Sequence, residues 1–342
     1  MSDNNNLPTD HPTVATGRIG VLLVNLGTPD GTDVASIRRY LREFLSDPRV
    51  IEVPKVIWWF ILNLFIVTFR SPKTAKAYAK VWRTESDESP LRHYTRQQSQ
   101  ALAARFGGDA DVIVDWAMRY GQPSIPERLT ALKDAGAERI LVFPLYPQYS
   151  ATTTATVVDK VADTLRGMRW QPTVRFVPPY HDDAAYIGAL AASVQATGLD
   201  TATDTVLLAS FHGLPQAYFD KGDPYHCHCH KTARLLRERL GLGPDRLRLS
   251  FQSRFGPKAW LQPYTDLTLE ELAAAGHTKV AVLTPGFASD CVETLEEIAI
   301  EGRATFEAAG GQAFHMLPCL NDSEVHVDML ETITRRELSG WL

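Results

Sequence analysis

At 342 residues the chain is long for one hydrophobic core and comfortable for two domains of ordinary size. Its 44% hydrophobic and 22% charged residues are those of a globular protein, and a formal charge of -5 without a basic block excludes nucleic acid as partner and points to a small ligand. Cys227, Cys229, Cys291 and Cys319 are irregularly spaced and no signal-peptide pattern opens the chain, so the thiols are expected to be free or metal-bound in a reducing compartment.

Residues 1–16 are polar and punctuated by proline, with too little apolar surface to offset ordering entropy, which predicts a loose tail. A first unit is expected over 17–178. It opens with GVLLVNLGTP (20–29), a buried strand ending in a glycine turn. An insertion follows around 51–90, and within it VIWWFILNLFIVTF (56–69) is shorter than the roughly 20 residues of a spanning helix. A core helix is one reading. A surface element dipping into a bilayer interface, with Arg70 and Lys73 just behind it, is the other.

The second unit, 179–342, repeats the first. TVLLASFHGLP (205–215) answers the opening strand, the strand before Arg254, Phe255 and Gly256 answers the one before Arg119, Tyr120 and Gly121, and LAAAGHTKVAVLTPGF (272–287) answers LKDAGAERILVFPLYP (132–147). Apolar strands alternating with helices predict an α/β fold: two similar Rossmann-like domains, each a parallel sheet flanked by helices, with a ligand cleft at the carboxyl ends of the strands. The interval from Gly27 to Gly136 is much longer than its counterpart from Gly213 to Gly276, and the excess precedes Arg119. One domain thus folds without the apolar segment, which favours a flap over the cleft, with Trp58, Trp59, Phe60 and Phe65 covering its edge.

Two features carry chemistry. Glu293, Glu297 and Glu301 stand at i, i+4 and i+8, an acidic row if the segment is an α-helix, with Val292, Leu295 and Ala299 as its packing stripe. YHCHCHK (225–231) interleaves thiols and imidazoles ahead of the expected helix KTARLLRERL, but C-x-C alternates sides and does not match the C-x₂₋₄-C spacing of zinc sites.

The ordered set PLYPQYSATTT (144–154), SFHGLPQAYFDKGDPY (210–225), SRFGPKAWLQPYTD (253–266) and PGFASDCVETLEE (285–297) resembles ferrochelatase, from about Gly17 to the C-terminal helix. The resemblance implies a lyase that inserts ferrous iron into protoporphyrin IX to form protohaem, the last step of haem biosynthesis. It implies two Rossmann-like domains around a porphyrin cleft with an apolar lip. His212, Glu293 and Glu297 match the catalytic residues, with His212 and Glu293 as contacts for the incoming iron. Arg119, Tyr120, Tyr149, Trp260 and Phe287 match porphyrin-pocket residues, and Leu26 joins them as a contact of the macrocycle.

Cys291 stands where the animal enzymes have histidine, and the chain stops at Leu342 without their cysteine-bearing extension. Some bacterial relatives bind a [2Fe–2S] cluster on internal cysteines, which makes Cys227, Cys229 and Cys319 candidate ligands, with His228 as a fourth; a functionally idle His/Cys loop is the alternative. No cofactor is needed for the insertion itself. The expected partners are protoporphyrin IX, ferrous iron and a membrane surface, with the enzyme cytoplasmic and peripheral to the inner membrane and a homodimer left open. The rival readings are a coproporphyrin III ferrochelatase, a cobalt chelatase of corrinoid synthesis and a non-catalytic haem or metal carrier.

Overall fold

The computed structural model describes residues 17–107 and 111–342, so the tail expected over 1–16 lies outside the described residues. Eight strands form two four-stranded sheets in which every pairing is parallel. β1 (Arg18–Gly27), β2 (Val112–Tyr120), β3 (Ala137–Pro144) and β4 (Thr173–Phe176) are ordered β2-β1-β3-β4. β5 (Val206–His212), β6 (Leu247–Gln252), β7 (Lys279–Leu283) and β8 (Ala313–Met316) are ordered β6-β5-β7-β8. The predicted duplication is therefore present as one topology used twice. The central strands read as unbroken apolar runs because helices cover both faces of a parallel sheet; Val21, Leu22, Leu23 and Val24 are all fully buried.

The two halves share single hydrogen bonds as well as topology. Val177 N–H donates to the Val142 carbonyl at 2.9 Å and Leu317 N–H to Val282 at 2.8 Å. Met118 N–H donates to Pro123 at 2.7 Å and Phe251 N–H to Pro263 at 2.8 Å, each proline following a glutamine. That last pair corrects the alignment read from sequence. The end of β2, with Arg119, stands level with Gln252 rather than Arg254, and residues 254–256 belong to a longer excursion between β6 and Pro263.

The two sheets do not have separate interiors. Leu23 and Phe143 of the first and Leu207 and Phe211 of the second enter one core with Leu190 of helix Ala184–Gln195, Leu236 of helix Tyr225–Leu240 and Leu330 of helix Glu324–Glu337. The C-terminal helix also reaches the first half through Arg105, which pairs with Glu324 at 2.6 Å and Asp328 at 2.8 Å.

The insertion is continuously helical from Lys55 to Val81, as α-helix Lys55–Phe60, π-helix Ile61–Arg70 and α-helix Ser71–Val81. Neither reading of it was sufficient. Leu62 and Val67 pack on Ile37, Tyr40, Leu41 and Tyr120, and Trp58 turns inward to donate its indole N–H to the Leu45 carbonyl at 2.6 Å. Trp58 thus leaves the set of edge-covering residues. Val56, Trp59, Phe65 and Phe69 point the other way, 73, 58, 59 and 74% exposed. No helix among the described residues is long and apolar enough to cross a membrane.

Acid sensitivity follows from two buried imidazoles. Burial pushes His326 down to about 4, and burial with the neighbouring His228 does the same to His181. Both are neutral when folded, whereas in the unfolded chain they take up protons as pH falls through 6.5. The stability they contribute is complete above that pH and is lost progressively toward pH 4. For His326 the full shift corresponds to about 3 kcal/mol, at about 1.4 kcal/mol per pH unit. Thermal unfolding at pH 7.5 and 4.5 is expected to show a smaller pH-dependent loss in His326→Gln than in the wild type; an equal loss would assign the acid sensitivity elsewhere.

Candidate functional site

His212 is the last residue of the central strand β5, and the chain that leaves it must be small: a Cβ on Gly213 would lie 2.6 Å from the Gln252 carbonyl oxygen. The His212 ring is half-buried, with Nδ1 2.7 Å from the Gly213 carbonyl oxygen. A carbonyl only accepts, so Nδ1 carries a proton, and in the neutral form of the ring the free lone pair is on Nε2. The Phe287 ring lies beside it, its centre 6.3 Å away.

Ser253 follows β6 in a left-handed conformation, φ 66°, which aims both its amide and its hydroxyl at Glu297. Burial raises the Glu297 carboxyl above the usual carboxylate range and the charge of Glu293 adds to this, while the Ser253 bonds and the field of His212 oppose it. His212 and Glu293 are therefore each within electrostatic reach of Glu297. Gln252 holds the Glu293 backbone from below, its side-chain amide donating to the Glu293 carbonyl at 2.8 Å.

The insertion closes the other side. Tyr40 and Tyr78 are buried, and both phenols are raised first by burial and then by charges that include Glu293. The Arg70 guanidinium stands 4.6 Å from the centre of the Phe255 ring and feels the Glu293 charge, and Lys80 pairs with Glu296 at 2.7 Å. Lip and second unit are thus joined across the site by side chains whose sequence neighbourhoods gave no hint of the pairing.

The acidic row is not a row. The segment is α-helical only over Val292–Leu295 and π-helical over Glu297–Gly302, with the Glu301 amide bonded five residues back to Glu296. The wider turn leaves Glu301 exposed and separates it from the two site carboxylates. The inward residues are Thr294, Ile298 and Gly302, whereas Val292, Leu295 and Ala299 are only half-buried.

Arg119 and Tyr120 stand apart, around Asp47. The Arg119 guanidinium pairs with the Asp47 carboxylate and donates to Thr156, and the Tyr120 hydroxyl donates to Asp47 at 2.9 Å. Burial alone would raise Asp47, but bonds from Thr156, the Arg49 amide and Tyr120, together with the Arg119 charge, hold it below its usual value. Tyr120 is fully buried and presents no surface to a ligand in this arrangement. Trp260 lies against Gly213, its indole N–H donating to the Phe255 carbonyl at 2.9 Å. Tyr149, on the turn after β3, is fixed by its amide N–H donating to His228 Nδ1 at 3.1 Å. Leu26, half-buried, borders three apolar clusters where the first sheet meets the insertion.

YHCHCHK is not a loop ahead of a helix but the first turns of helix Tyr225–Leu240. Cys229 faces the core, Cys227 faces solvent, and Cys319 is buried beside the Thr284 hydroxyl at 3.3 Å. Burial raises the Cys229 and Cys319 thiols, which keeps them protonated and poor as ligands. Among the described residues no three His, Cys, Asp or Glu side chains converge to hold a metal ion, so the set Cys227, Cys229 and Cys319 is not assembled for a [2Fe–2S] cluster.

The family profile described as "Ferrochelatase" matches residues 18–338. The chain is 59% identical over 336 residues to a ferrochelatase of Rhizobium meliloti, covering 98% of this chain and 99% of the relative. It is 57% identical over 338 residues to one of Agrobacterium fabrum, covering 98% of each. Among solved structures, SirB from Bacillus subtilis with Fe3+ superposes with a TM-score of 0.57 at 13% identity, over 95% of this chain and 98% of that one, a likeness of fold alone.

Proposed function

The chain belongs to the ferrochelatase family, lyases of the terminal step of haem biosynthesis with ferrous iron as substrate, and from that premise we propose that His212, Glu293 and Glu297 carry the exchange of metal for protons. The ring must lose two pyrrole protons as the ion enters. His212 Nε2, its lone pair left free by the Nδ1 bond to Gly213, accepts the two pyrrole protons one after the other, each leaving for Glu297 and then solvent before the next is taken, so that the imidazole acts here as base and not as iron ligand. Glu297, raised by burial, is poised to take each proton onward. Glu293 offers carboxylate oxygens to the approaching cation, which draws it inward and compensates its lost hydration. The observation that carries this reading is the fixed tautomer of His212 in the field of a buried, protonatable Glu297.

The proposed substrate is protoporphyrin IX rather than coproporphyrin III, because the exposed side chains of the lip, Val56, Trp59, Phe65 and Phe69 among them, are mostly apolar and Arg70 is engaged with Phe255 and Glu293. Steady-state insertion of ferrous iron into each porphyrin tests this: many turnovers with a preference for protoporphyrin are expected. Preference for coproporphyrin would reverse the substrate choice, and a single equivalent of bound product would favour a carrier. Trp260, Phe287, Tyr149 and Leu26 are proposed to hold the macrocycle by contact area, with Arg119 and Tyr120 supporting the wall behind.

The protein is further proposed to be cytoplasmic and to rest on the inner membrane through the outer face of the insertion. Phe65→Ser with Phe69→Ser is expected to weaken vesicle binding at least about tenfold, since burying one aromatic side chain is worth roughly 1.5–3 kcal/mol. The melting temperature should hold, because both rings are exposed. Unchanged vesicle flotation would remove the membrane role. A [2Fe–2S] cluster has no part in this proposal, since joining Cys227 to Cys229 on it would require unwinding the start of helix Tyr225–Leu240.

A further inference from the structure

A groove of about 530 Å³ runs along the outside of the second unit, between helix Tyr225–Leu240 and the edge strand β6, bordered by His226, Cys227, His230, Lys231, Arg234 and Leu249. Nothing in the insertion chemistry uses it. His226 and His230 are four residues apart on one helical face, the H-x₃-H spacing that C-x-C had obscured, with ring centres 4.3 Å apart. Two imidazoles sharing one ion at about 2.0–2.1 Å hold their centres on the order of 4.5–5 Å apart, so little side-chain movement is needed. Phe219 and Phe251 pack on the His226 ring, with centres 5.1 and 5.8 Å away, and fix its orientation.

Of the basic side chains on the border, Arg237 has no ion pair among the described residues, whereas the other two are neutralised. Lys231 is paired with Asp182 at 2.5 Å and Arg234 with Glu238 at 2.7 Å. Burial lowers both His226 and His230, and His226 lowers His230 further, which keeps the rings in the neutral, ligating form. The exposed Cys227 thiol lies one residue after His226 and three before His230, at the same groove. As they stand the three side chains do not converge, so Cys227 must rotate about its Cα–Cβ bond to complete the set. The pair is separate from the site of insertion: the Phe251 and Phe211 rings, 6.4 Å apart, lie between it and the end of β5.

We propose that His226 and His230, completed by the Cys227 thiolate and water, form a binding site for a divalent transition-metal ion of the Zn2+, Co2+ and Fe2+ class on the outer face of the second unit. Binding releases the Cys227 proton to solvent, and affinity therefore rises with pH.

The test is titration of the tag-free, porphyrin-free full chain with Co2+, followed by its d–d absorption and by thiolate-to-cobalt charge transfer. A thiolate-to-cobalt charge-transfer band that saturates at one equivalent is expected in the wild type and equally in His212→Ala, whatever further Co2+ the insertion centre takes up. The pair His226→Ala with His230→Ala should weaken this binding by at least the roughly 10–100-fold that loss of even a supporting group costs a metal site. Cys227→Ser should abolish the charge-transfer band and leave the d–d bands. Should the double variant unfold, His230→Ala alone decides, because His230 lies at the surface, partly covered by its neighbours, and belongs to none of the apolar core clusters. An unchanged titration in the histidine variants overturns the site, and so does loss of the charge-transfer band in His212→Ala, which would place the ion in the insertion centre. Neither result bears on whether His212 serves insertion, since that is read by turnover.

Discussion

His212→Ala is expected to lower the turnover number for iron insertion by at least the roughly 10²–10⁴-fold that a positioned acid or base supplies, with the fold intact. The imidazole is half-buried at a strand end, and its one hydrogen bond is to the adjacent Gly213 carbonyl, which water can satisfy once the ring is gone. No neighbour can stand in. Glu297 is held by two bonds from Ser253, and the Phe287 ring beside His212 has no lone pair to offer. Added imidazole should restore part of the rate in the alanine variant, because a free base can occupy the space vacated, and this rescue would not follow from a merely structural role. Turnover within about tenfold of the wild type, a margin below the smallest effect expected of a base, would remove His212 from the chemistry.

The fold was legible because the physics that builds it is local and was written twice. Each central strand is an apolar run ended by a glycine, and each third strand is announced by a buried leucine and a left-handed glycine, Leu132 with Gly136 and Leu272 with Gly276. What misled was a three-letter match: Arg254, Phe255 and Gly256 imitate Arg119, Tyr120 and Gly121, whereas the Pro123 and Pro263 carbonyls define the true correspondence. The insertion defeated periodicity for a different reason. Its residues are apolar at nearly every position, so no stripe stands out, and a π-helix brings residues five apart onto one side where an α-helical template looks three and four apart.

The site was legible only in part. His212 is placed by its own strand and turn, both visible in sequence. The acidic helix was misread because α-helical spacing was assumed where Glu297–Gly302 is a π turn, with the Glu301 amide bonded five residues back to Glu296. Arg119 and Tyr120 were found as residues, but their burial against Asp47, more than two elements earlier in the chain, is a tertiary fact. The start of helix Tyr225–Leu240 was missed because Pro224 occupies the cap position, and the carboxylate that accepts from the first helical amide, Asp223 from Tyr225 at 3.0 Å, stands one residue ahead of the usual capping position. Once that helix begins at Tyr225, the histidines that alternate in sequence divide between its faces: His226 and His230 on the groove, His228 stacked on His181 with ring centres 3.6 Å apart.

Glu293→Gln separates charge from shape, since the amide occupies the same volume and the Gln252 bond to the Glu293 backbone is untouched by the substitution. The rate of insertion is expected to fall by roughly 10²–10³-fold, the scale of losing one preorganised electrostatic group at a reacting centre, while porphyrin affinity is nearly retained. The charge is what the surroundings register: Tyr40, Tyr78, Arg70, Cys291 and Glu297 all respond to it, the last by being pushed upward. Its removal therefore also lets the Glu297 carboxyl ionise more readily, which weakens Glu297 as a proton acceptor. Combining Glu293→Gln with Glu297→Gln should consequently cost less than the sum of the two single losses. The melting temperature should change little, because the substitution relieves the Glu297 carboxyl of a neighbouring negative charge and takes an attractive one from Arg70. A fall in porphyrin affinity as large as the fall in rate would make Glu293 a residue that holds the macrocycle, and strict additivity with Glu297→Gln would mean that the two carboxylates act in separate steps.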